Sequence, residues 1–310
     1  MYIGRFAPSP TGLLHFGSLV AAVASYVDAR AANGRWLLRI EDVDTTRCSR
    51  AAETEILRQL AAYGFVVDGE IVRQSERSEI YDAAIARLAA AGQVFACACS
   101  RKMLTGALRN AEGETIYPGT CRHLHVVTNV HSLRLCVKDD GDSRVQFTDR
   151  VVGVTAQNVA RDVGDFVMRR ADGCYAYQLA VVVDDAIQEV TDVVRGEDLL
   201  MNTPRQIYLQ RLLGVATPTY LHVPLVRNAK GEKLSKQTLA QAISIDGPVK
   251  TLLAAWAFLK QADLGQLESV GAFWNAAIAA WNPQRLQAHR SPPVISTPKP
   301  LKPRASTQNL

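Results

Sequence analysis

The chain has 310 residues, of which 48% are hydrophobic and 21% are charged, and its formal net charge at pH 7 is +5. These values are ordinary for a globular protein and leave room for one elaborated domain or two. No apolar run approaches the roughly 18 residues that a membrane span needs, and the start MYIGRFAPSP lacks the layout of a secretory signal peptide. Composition therefore predicts a cytosolic protein without membrane contact. The weak positive charge alone does not argue for a nucleic-acid partner.

The first 93 residues alternate between strand and helix patterns. The runs YIGRFAPS and RWLLRIED are compact and apolar, which predicts two strands. Helices are predicted over residues 18–32, 49–63 and 75–91. The second of them is expected to be capped by Ser49 and the third by Ser75 or Ser78. This alternation predicts a parallel sheet with helices on its faces, formed in its first half by residues 1–93.

The pattern changes at about residue 94. Residues 94–165 hold most of the cysteines and short β-like runs such as SLRLCVK and RVQFTD, which indicates an insertion. Residues 166–238 are then predicted to supply the second half of the parallel-sheet domain. Its expected elements are a turn at Asp172-Gly173, a buried strand LAVVV, a helix over 202–213 with Pro204 in its first turn, and a strand TYLHVPLVRN.

The last part of the chain has a different composition. Residues 239–288 have the pattern of helices, as in VKTLLAAWAFLKQ and VGAFWNAAIAAW. Residues 289–310 include SPPVISTPKPLKPRASTQNL, which is rich in proline and predicts a disordered tail.

One histidine precedes a small-residue helix start in the stretch PTGLLHFGSLVAA, residues 10–22. A strand, a turn and a helix beginning near Gly17 and Ser18 would aim backbone N–H groups at one point and form an anion site. Gly17 would let a nucleotide approach the backbone, and His15 could donate to a phosphate oxygen. On its own, the stretch is more typical of an ordinary helix start with a surface histidine.

A second stretch, GEKLSKQ at residues 231–237, combines a glycine turn with Lys233 and Lys236. Two lysines three residues apart on a loop can clamp a triphosphate and offset the charge of a leaving pyrophosphate. Taken alone, such a loop is usually a solvated lysine loop.

The six cysteines are unevenly spaced, and Cys97, Cys99 and Cys121 lie within 25 residues. In a long cytosolic chain this clustering indicates a metal site rather than disulfides, and thiolates select zinc. A tetrahedral site needs a fourth ligand, for which ligand chemistry alone favours His123 or His125. The alternative is three buried free thiols. The remaining cysteines, which are Cys48, Cys136 and Cys174, are expected to have only a packing role.

Several stretches together resemble a known family. PTGLLHFGS and KLSKQ, about 215 residues apart, resemble the HIGH and KMSKS signatures of class I aminoacyl-tRNA synthetases. Over roughly residues 3–240 the stretches RFAPSPTG, RIEDVDTTR, AYQLAVVVDD and VVRGEDLLMNTPRQ extend the resemblance to the glutamyl-tRNA synthetase group. The resemblance implies a Rossmann-like α/β catalytic domain with a parallel sheet, a zinc-containing insertion and a short C-terminal helical segment. It also implies ATP with Mg²⁺ as cosubstrate and L-glutamate as the activated amino acid.

The resemblance further implies the roles of individual residues. Arg5 and Arg195 would bind carboxylates, for which the guanidinium fork is suited, and Glu41 would accept the ammonium group. The implied glutamate-binding set is Arg5, Phe6, Ala7, Pro8, Ser9, Glu41, Tyr177 and Arg195. The implied ATP-binding set is His15, Gly17, Ser18, Lys233, Leu234, Ser235 and Lys236, with His15, Lys233 and Lys236 as the catalytic residues. In the zinc site, the family places a tyrosine four residues before the last cysteine, here Tyr117.

Some of these assignments have alternatives or departures. Ser18 stands where the HIGH signature has its last histidine, which shifts phosphate contact onto His15, the Ser18 hydroxyl and backbone amides. Read singly, Glu41 could be a surface acid at a strand end. Arg195 could simply pair with a nearby carboxylate, Glu197 or Asp198. One of Tyr175 and Tyr177 is expected to face the core.

The length of the chain after the KLSKQ stretch distinguishes full-length from truncated members of this group. Only 73 residues follow Gln237, which leaves no room for the large anticodon-binding region of a full glutamyl-tRNA synthetase. The resemblance is therefore to truncated members, which implies transfer of glutamate to the queuosine base in the anticodon loop of tRNA(Asp). We expect a cytoplasmic, monomeric ligase that modifies tRNA. The alternatives are a shortened synthetase charging tRNA(Glu) and a non-catalytic zinc- and RNA-binding paralogue.

Overall fold

The computed structural model describes residues 1–124, 131–227 and 241–289. At its centre, strand β1 (Ile3–Phe6) pairs in parallel with β2 (Arg35–Ile40), and β2 pairs in parallel with β3 (Val72–Arg73). In β1 every residue is buried, because the strand is covered on both faces. The two runs predicted as strands at the start of the chain are therefore confirmed.

A second group of strands continues on the other side of β1. Strand β9 (Asp192–Gly196) lies next to β1, where the Thr191 amide donates a hydrogen bond of 2.9 Å to the first residue of β1. Strand β9 pairs in parallel with β10 (Thr219–Val223), and β10 contacts β6 (Arg144–Asp149) in parallel. Strand β7 (Gly153–Asn158) pairs with β6 in antiparallel fashion. The parallel, Rossmann-like arrangement expected for the catalytic domain is confirmed.

Eight α-helices lie in the described ranges: α1 (Phe16–Ala31), α2 (Arg50–Ala62), α3 (Ser78–Ala90), α4 (Val159–Asp162), α5 (Tyr177–Ile187), α6 (Thr203–Leu213), α7 (Pro248–Phe258) and α8 (Val270–Ala280). Ser49 caps α2 as predicted, since its Oγ accepts from the Ala52 amide at 3.1 Å. The predicted cap of α3 is wrong. Ser78 is the first residue of that helix, and the Ser75 hydroxyl instead donates to Asp42 at 2.6 Å.

Helix α5 covers the segment LAVVV, which the sequence predicts as a strand, and that prediction is wrong. A short apolar run has the same appearance in a buried strand and in a helix that is covered nearly all round. Here residues 178–185 are all buried, including the two acids that end the run, Asp184 and Asp185. The helical form places these carboxylates inside the fold rather than at a strand end.

Three other predicted elements of residues 166–223 are confirmed. Gly173 adopts φ +89° in a turn closed by a 2.8 Å hydrogen bond from the Arg170 amide to the Cys174 carbonyl. Pro204 lies in the first turn of α6, and TYLHV forms β10. The helical prediction for the C-terminal segment is confirmed by α7 and α8, whereas residues 290–310 lie outside the described residues.

The cysteine-bearing part of the chain builds a small antiparallel sheet. Its strands are β4 (Val94–Cys97), β5 (Ser132–Leu135) and β8 (Val167–Arg169). Strands β6 and β7 belong instead to the larger sheet, in which β6 pairs with β10 and β7 pairs with β6. The domain boundaries expected near residues 93, 165, 238 and 288 stay predictions.

The core consists of two large hydrophobic clusters. One surrounds α1 and contains Trp36, Trp256 and Phe273, so that α7 and α8 pack directly against α1. Two indoles from this C-terminal segment also donate hydrogen bonds to earlier parts of the chain: Trp274 to the Tyr63 carbonyl at 3.0 Å and Trp281 to Asp28 at 2.8 Å. The other cluster lies among α3, α5, α6 and β6. Within the described ranges, no helix has both the length and the apolar character needed to cross a bilayer.

Candidate active site

Three parallel strands deliver charged side chains to one edge of the sheet. Arg5 lies in β1, Arg195 lies in β9, and Glu41 directly follows β2. The chain builds outward from β1 through β2 to β3 and then continues on the opposite side through β9. Ligands of such sheets bind at the carboxyl ends of the strands where this direction reverses, here between β1 and β9. The Glu41 amide donates to the Pro8 carbonyl at 3.0 Å, which joins the two loops at this edge.

Arg5 is 3% exposed and is held by Asp185 of α5. Its Nε and Nη2 donate to the two Asp185 oxygens at 3.2 and 3.5 Å. Arg39, which is completely buried, shares Asp185 at 2.7 Å and contacts Glu41 at 3.4 Å. Burial alone would raise the pKa of Asp185, but the two guanidinium groups outweigh it and hold the pKa below its usual range.

Glu41 has the opposite balance. Burial raises the pKa of its carboxyl above the usual range, and the attraction of Arg39 and Arg5 only partly offsets this. The ionised form of Glu41 is therefore short of positive charge in the structure. A ligand ammonium beside it would supply that charge and stabilise the carboxylate.

Arg195 is 5% exposed and makes four hydrogen bonds with uncharged partners. Its Nε donates to His222 Nε2 at 3.1 Å and its Nη1 to the Tyr177 hydroxyl at 3.4 Å, while its Nη2 bonds the Thr203 hydroxyl at 2.8 Å and the Leu199 carbonyl at 3.4 Å. A guanidinium has five N–H donors, so these contacts leave one on Nη1. The pairing with Glu197 or Asp198 considered from the sequence is absent among the described ion pairs.

Tyr177 lies between the charged groups. It is the first residue of α5, and its hydroxyl is within electrostatic reach of Arg195, Glu41 and Arg5. Burial raises the pKa of Tyr177, so the hydroxyl keeps its proton and can donate it to an anion. Arg5, Glu41, Tyr177 and Arg195, predicted together, are brought together here.

The other predicted glutamate-site residues line the end of β1. Phe6 is buried and stacks on Trp36 with ring centroids 6.1 Å apart, and Pro8 is buried as well. Ala7 is half-buried and Ser9 is exposed at the edge of the sheet. Of these four side chains, those of Ala7 and Ser9 are therefore the ones that remain accessible at this edge.

His15 is the N-cap of α1. Its Nδ1 accepts a hydrogen bond of 3.3 Å from the Ser18 amide. With Nδ1 used as an acceptor, the proton of the neutral ring lies on Nε2. The Ser18 amide donates to the His15 side chain. The other first-turn amides, those of Phe16 and Gly17, have no hydrogen-bond acceptor within the helix.

The chain returns to His15 just after the lysine-bearing stretch. The Ile243 amide donates to the Leu14 carbonyl at 2.9 Å, and Ala242 pairs with His15 in an antiparallel bridge. Lys233, Leu234, Ser235 and Lys236 lie outside the described residues. The residues that follow this stretch, Ala242 and Ile243, lie beside the start of α1.

The predicted metal ligands form a separate cluster. The sulfur atoms of Cys97, Cys99 and Cys121 lie within 4.8 Å of one another. The Tyr117 hydroxyl is 3.3 Å from the Cys97 sulfur and 3.6 Å from the Cys99 sulfur, and the sulfurs of Cys99 and Cys121 are 3.5 Å apart. Zinc–sulfur bonds of about 2.3 Å put the sulfurs of a tetrahedral site about 3.8 Å apart, so the cluster fits a zinc ion.

Beside the three sulfur atoms lies the Tyr117 hydroxyl, and none of the described histidines. His123 is exposed and does not join the cluster, and His125 lies outside the described residues. Hydrogen bonds from Tyr117 and from the Cys99 backbone, helped by Arg134, outweigh burial and lower the pKa of the Cys97 thiol to about 7. A lowered thiol pKa favours the thiolate, which is the form that binds metal. The Arg134 guanidinium lies close to this cluster, 4.0 Å from the centre of the Tyr117 ring.

Sequence reasoning missed the residues that hold the site arginines in place. Arg39 is a charged residue inside the apolar run LLRI, and this position is the sequence signal for a buried ion pair. Asp185 was hidden by the strand interpretation of its segment. His222 in β10 had no signal, because a histidine in an apolar strand is usually a packed core residue.

Comparison with known proteins gives a consistent picture. A family model described as the catalytic domain of tRNA synthetases class I (E and Q) matches residues 3–269. A relative from Thiobacillus denitrificans named glutamyl-Q tRNA(Asp) synthetase is 52% identical over 301 residues, which cover 96% of this chain and 98% of the relative. A relative of the same name from Neisseria meningitidis is 48% identical over 296 residues, covering 93% of this chain and 98% of its own length.

Two solved structures share the fold. One is a glutamate-tRNA synthetase from Elizabethkingia anophelis, with a TM-score of 0.74 and 23% identity, covering 92% of this chain and 66% of that one. The other is a glutamate tRNA ligase from Elizabethkingia meningosepticum in complex with its amino acid, with a TM-score of 0.73 and 24% identity, covering 92% of this chain and 65% of that one. The chain thus spans about two thirds of the length of these two proteins.

Proposed function

Because the chain belongs to the class I tRNA synthetases of the E and Q group, we propose that it activates L-glutamate with ATP and transfers the glutamyl group to the queuosine base of tRNA(Asp). The observation that carries this proposal is the match in length and sequence to relatives named for that activity, 52% identical over 98% of one such protein. A tRNA-modifying ligase of this kind would act in the cytoplasm, where its tRNA lies, and we expect it to be a monomer.

The charges at the sheet edge support glutamate as the amino acid. Its ammonium group would lie against Glu41, whose buried carboxylate is only partly compensated by Arg39 and Arg5. Arg5 and Arg195 would each face a carboxylate. Because Arg195 keeps only one donor beyond its protein partners, we expect a carboxylate to bind that Nη1 together with the Tyr177 hydroxyl, rather than a bidentate fork.

In the first step, a carboxylate oxygen of glutamate attacks the α-phosphorus of ATP, and the bond to pyrophosphate breaks. The carboxylate is already ionised at pH 7, so no general base is needed. His15 Nε2 and the first amides of α1 would hold the phosphates, while Lys233 and Lys236 would offset the charge on the leaving pyrophosphate. Mg²⁺, bound with ATP, would neutralise phosphate charge.

We also propose that Cys97, Cys99, Tyr117 and Cys121 hold one structural Zn²⁺. The support is the set of distances among these four side chains, which suits a closed tetrahedral site. Such a site would hold in place a cysteine-bearing segment that has little core of its own, since the hydrophobic cluster there is small.

The proposal is tested by following labelled glutamate into defined tRNAs. We expect label on tRNA(Asp) that contains queuosine, located in the anticodon loop by nuclease digestion. Equal labelling of queuosine-free tRNA(Asp), or of tRNA(Glu), would contradict the proposed acceptor. Glutamate-dependent exchange of pyrophosphate into ATP tests activation separately, and its absence in the metal-loaded protein would favour a non-catalytic paralogue.

One substitution tests the part of the site that lies outside the described residues. Lys236→Ala should lower the exchange rate without changing the melting temperature. Lys250→Ala, at an exposed position of α7, is the matched control that should leave both unchanged. An unchanged exchange rate in the first variant would remove Lys236 from the proposed ATP site.

A further inference from the structure

His222 is a buried residue that the proposed reaction does not yet use. It lies in β10, is 1% exposed and stacks on Tyr220 with ring centroids 6.2 Å apart. Its two ring nitrogens contact different groups. Nε2 is 3.1 Å from Arg195 Nε, and Nδ1 is 2.7 Å from an Asp149 oxygen.

These two contacts determine where the proton of the ring lies. The Nε of an arginine can only donate, so Nε2 of His222 must accept. The Asp149 carboxylate accepts, and it also receives hydrogen bonds from the backbone amides of His222 and Val151 at 3.1 and 2.9 Å. Nδ1 must therefore carry the proton, and the ring is neutral, because a second proton on Nε2 would face the Arg195 donor.

The consequence for Arg195 is a guanidinium held without a counter-charge. Its partners are a neutral imidazole, two hydroxyls and a carbonyl, and no carboxylate of the described residues lies within 4.0 Å of it. Arg5 is different, because its charge is shared with the Asp185 carboxylate. Of the two arginines at the sheet edge, Arg195 is thus the one whose charge remains available to a ligand.

We propose that His222 and Asp149 are a positioning pair that orients Arg195 through a neutral acceptor, so that Arg195 selects a carboxylate over a carboxamide in the amino-acid pocket. This inference rests on the proposed function in one respect, namely that the side-chain carboxylate of glutamate is the ligand of Arg195. A buried guanidinium that has no counter-charge is stabilised much more by an anion than by an amide. A carboxylate in place of His222 would orient Arg195 equally well but would cancel the charge on which this selection depends.

The two amide substitutions of His222 separate the acceptor from the rest of the side chain. The amide of Gln reaches the place of Nε2, so His222→Gln keeps an acceptor for Arg195. The shorter amide of Asn reaches only the place of Nδ1, so His222→Asn keeps the contact with Asp149 and loses that acceptor. We expect KM for glutamate in pyrophosphate exchange to rise about 10- to 100-fold in H222N, with KM for ATP unchanged, and to stay within about threefold of wild type in H222Q.

Competition with glutamine gives a readout that a general loss of stability would not change. Discrimination between glutamate and glutamine should decrease in H222N and be retained in H222Q. Equal KM values for glutamate in H222N and wild type, or equal impairment in both variants, would overturn the inference.

The protonation of the ring can be measured independently of activity. Nitrogen-15 spectra of the wild-type enzyme with labelled histidine, assigned with the two variants, should show His222 protonated on Nδ1 only. A proton on Nε2 at pH 7 would overturn the positioning pair. If wild type shows no glutamate-dependent exchange, the proposed function is wrong, and these spectra then decide the pair alone.

Discussion

The guanidinium of Arg5 and the carboxylate of Asp185, 180 residues apart in the chain, form a buried ion pair in which Nε lies 3.2 Å from Oδ1. This pair joins β1 to α5 underneath the candidate amino-acid pocket. Arg39 uses the same carboxylate at 2.7 Å, so that one acid holds two buried guanidinium groups. The position of Arg5 at the sheet edge therefore depends on α5, a helix far from it along the chain.

Asp185→Asn should destabilise the protein strongly, because it leaves two buried cations without their shared carboxylate. We expect a loss of about 3–5 kcal/mol in the free energy of unfolding, measured by urea denaturation, and a higher KM for glutamate. Asp82→Asn is the matched control, since Asp82 pairs with Arg169 on the surface at 3.5 Å and should cost less than about 1 kcal/mol. Similar losses of unfolding free energy in the two variants would show that the buried ion pair contributes no more to stability than the surface pair.

The fold could be predicted from the sequence wherever local pattern and tertiary position agree. The strands β1, β2 and β10 and the cap of α2 follow from compact apolar runs and from Ser49. Helix α5 could not be predicted, because its burial on nearly all sides removes the periodicity that distinguishes a helix from a strand. In that case the tertiary environment, rather than the local sequence, decided the conformation.

The candidate site likewise contains residues that the sequence predicts and residues that it does not. Residues such as Arg5, Glu41 and Arg195 could be singled out because they stand inside matched stretches of sequence. Their partners could not, because contacts such as Arg195 with His222 join strands that become neighbours only when the sheet forms. The charge state of a site arginine is a property of those partners, and single-sequence patterns do not contain it.

Two substitutions of His15 should separate its structural part from its proposed contact with phosphate. Asn at a helix N-cap can accept from the Ser18 amide as Nδ1 does, whereas Ala cannot, so only His15→Ala should lose about 0.5–2 kcal/mol of stability. Both variants lack the Nε2 donor, and both should lower the rate of pyrophosphate exchange about 10- to 100-fold. A full exchange rate in His15→Asn would remove His15 from the ATP site.

Removal of a thiolate should release the proposed zinc ion and destabilise the cysteine-bearing segment. Cys121→Ser should lower both the metal content, measured by mass spectrometry, and the melting temperature, and a chelator should have the same effect on wild type. Cys136→Ser is the control, because Cys136 lies outside the cluster. Tyr117→Phe should weaken zinc binding and His123→Ala should not; the reverse result would assign the fourth position to histidine.

The affinity for glutamate should depend on pH through His222. Burial holds the pKa of His222 below 6.5, with Asp149 opposing this shift and Arg195 supporting it, while Asp198 acts in the same sense as Asp149. Above its lowered pKa the ring is neutral and accepts from Arg195; below it, Nε2 carries a proton and repels the guanidinium. We expect KM for glutamate to be constant from about pH 8 to 6.5 and to rise only at lower pH.

The lowered pKa of His222 also makes the stability of the protein depend on pH. Between the lowered pKa and 6.5 the unfolded chain binds more protons at His222 than the folded one does, so the contribution of this residue to stability falls as pH falls through that interval. His222→Gln does not titrate and should lose the dependence of KM on pH at this position. Titration of Glu41, whose pKa is raised, affects both proteins equally and cancels in the ratio of their KM values. An identical pH profile in wild type and His222→Gln would show that His222 does not control Arg195.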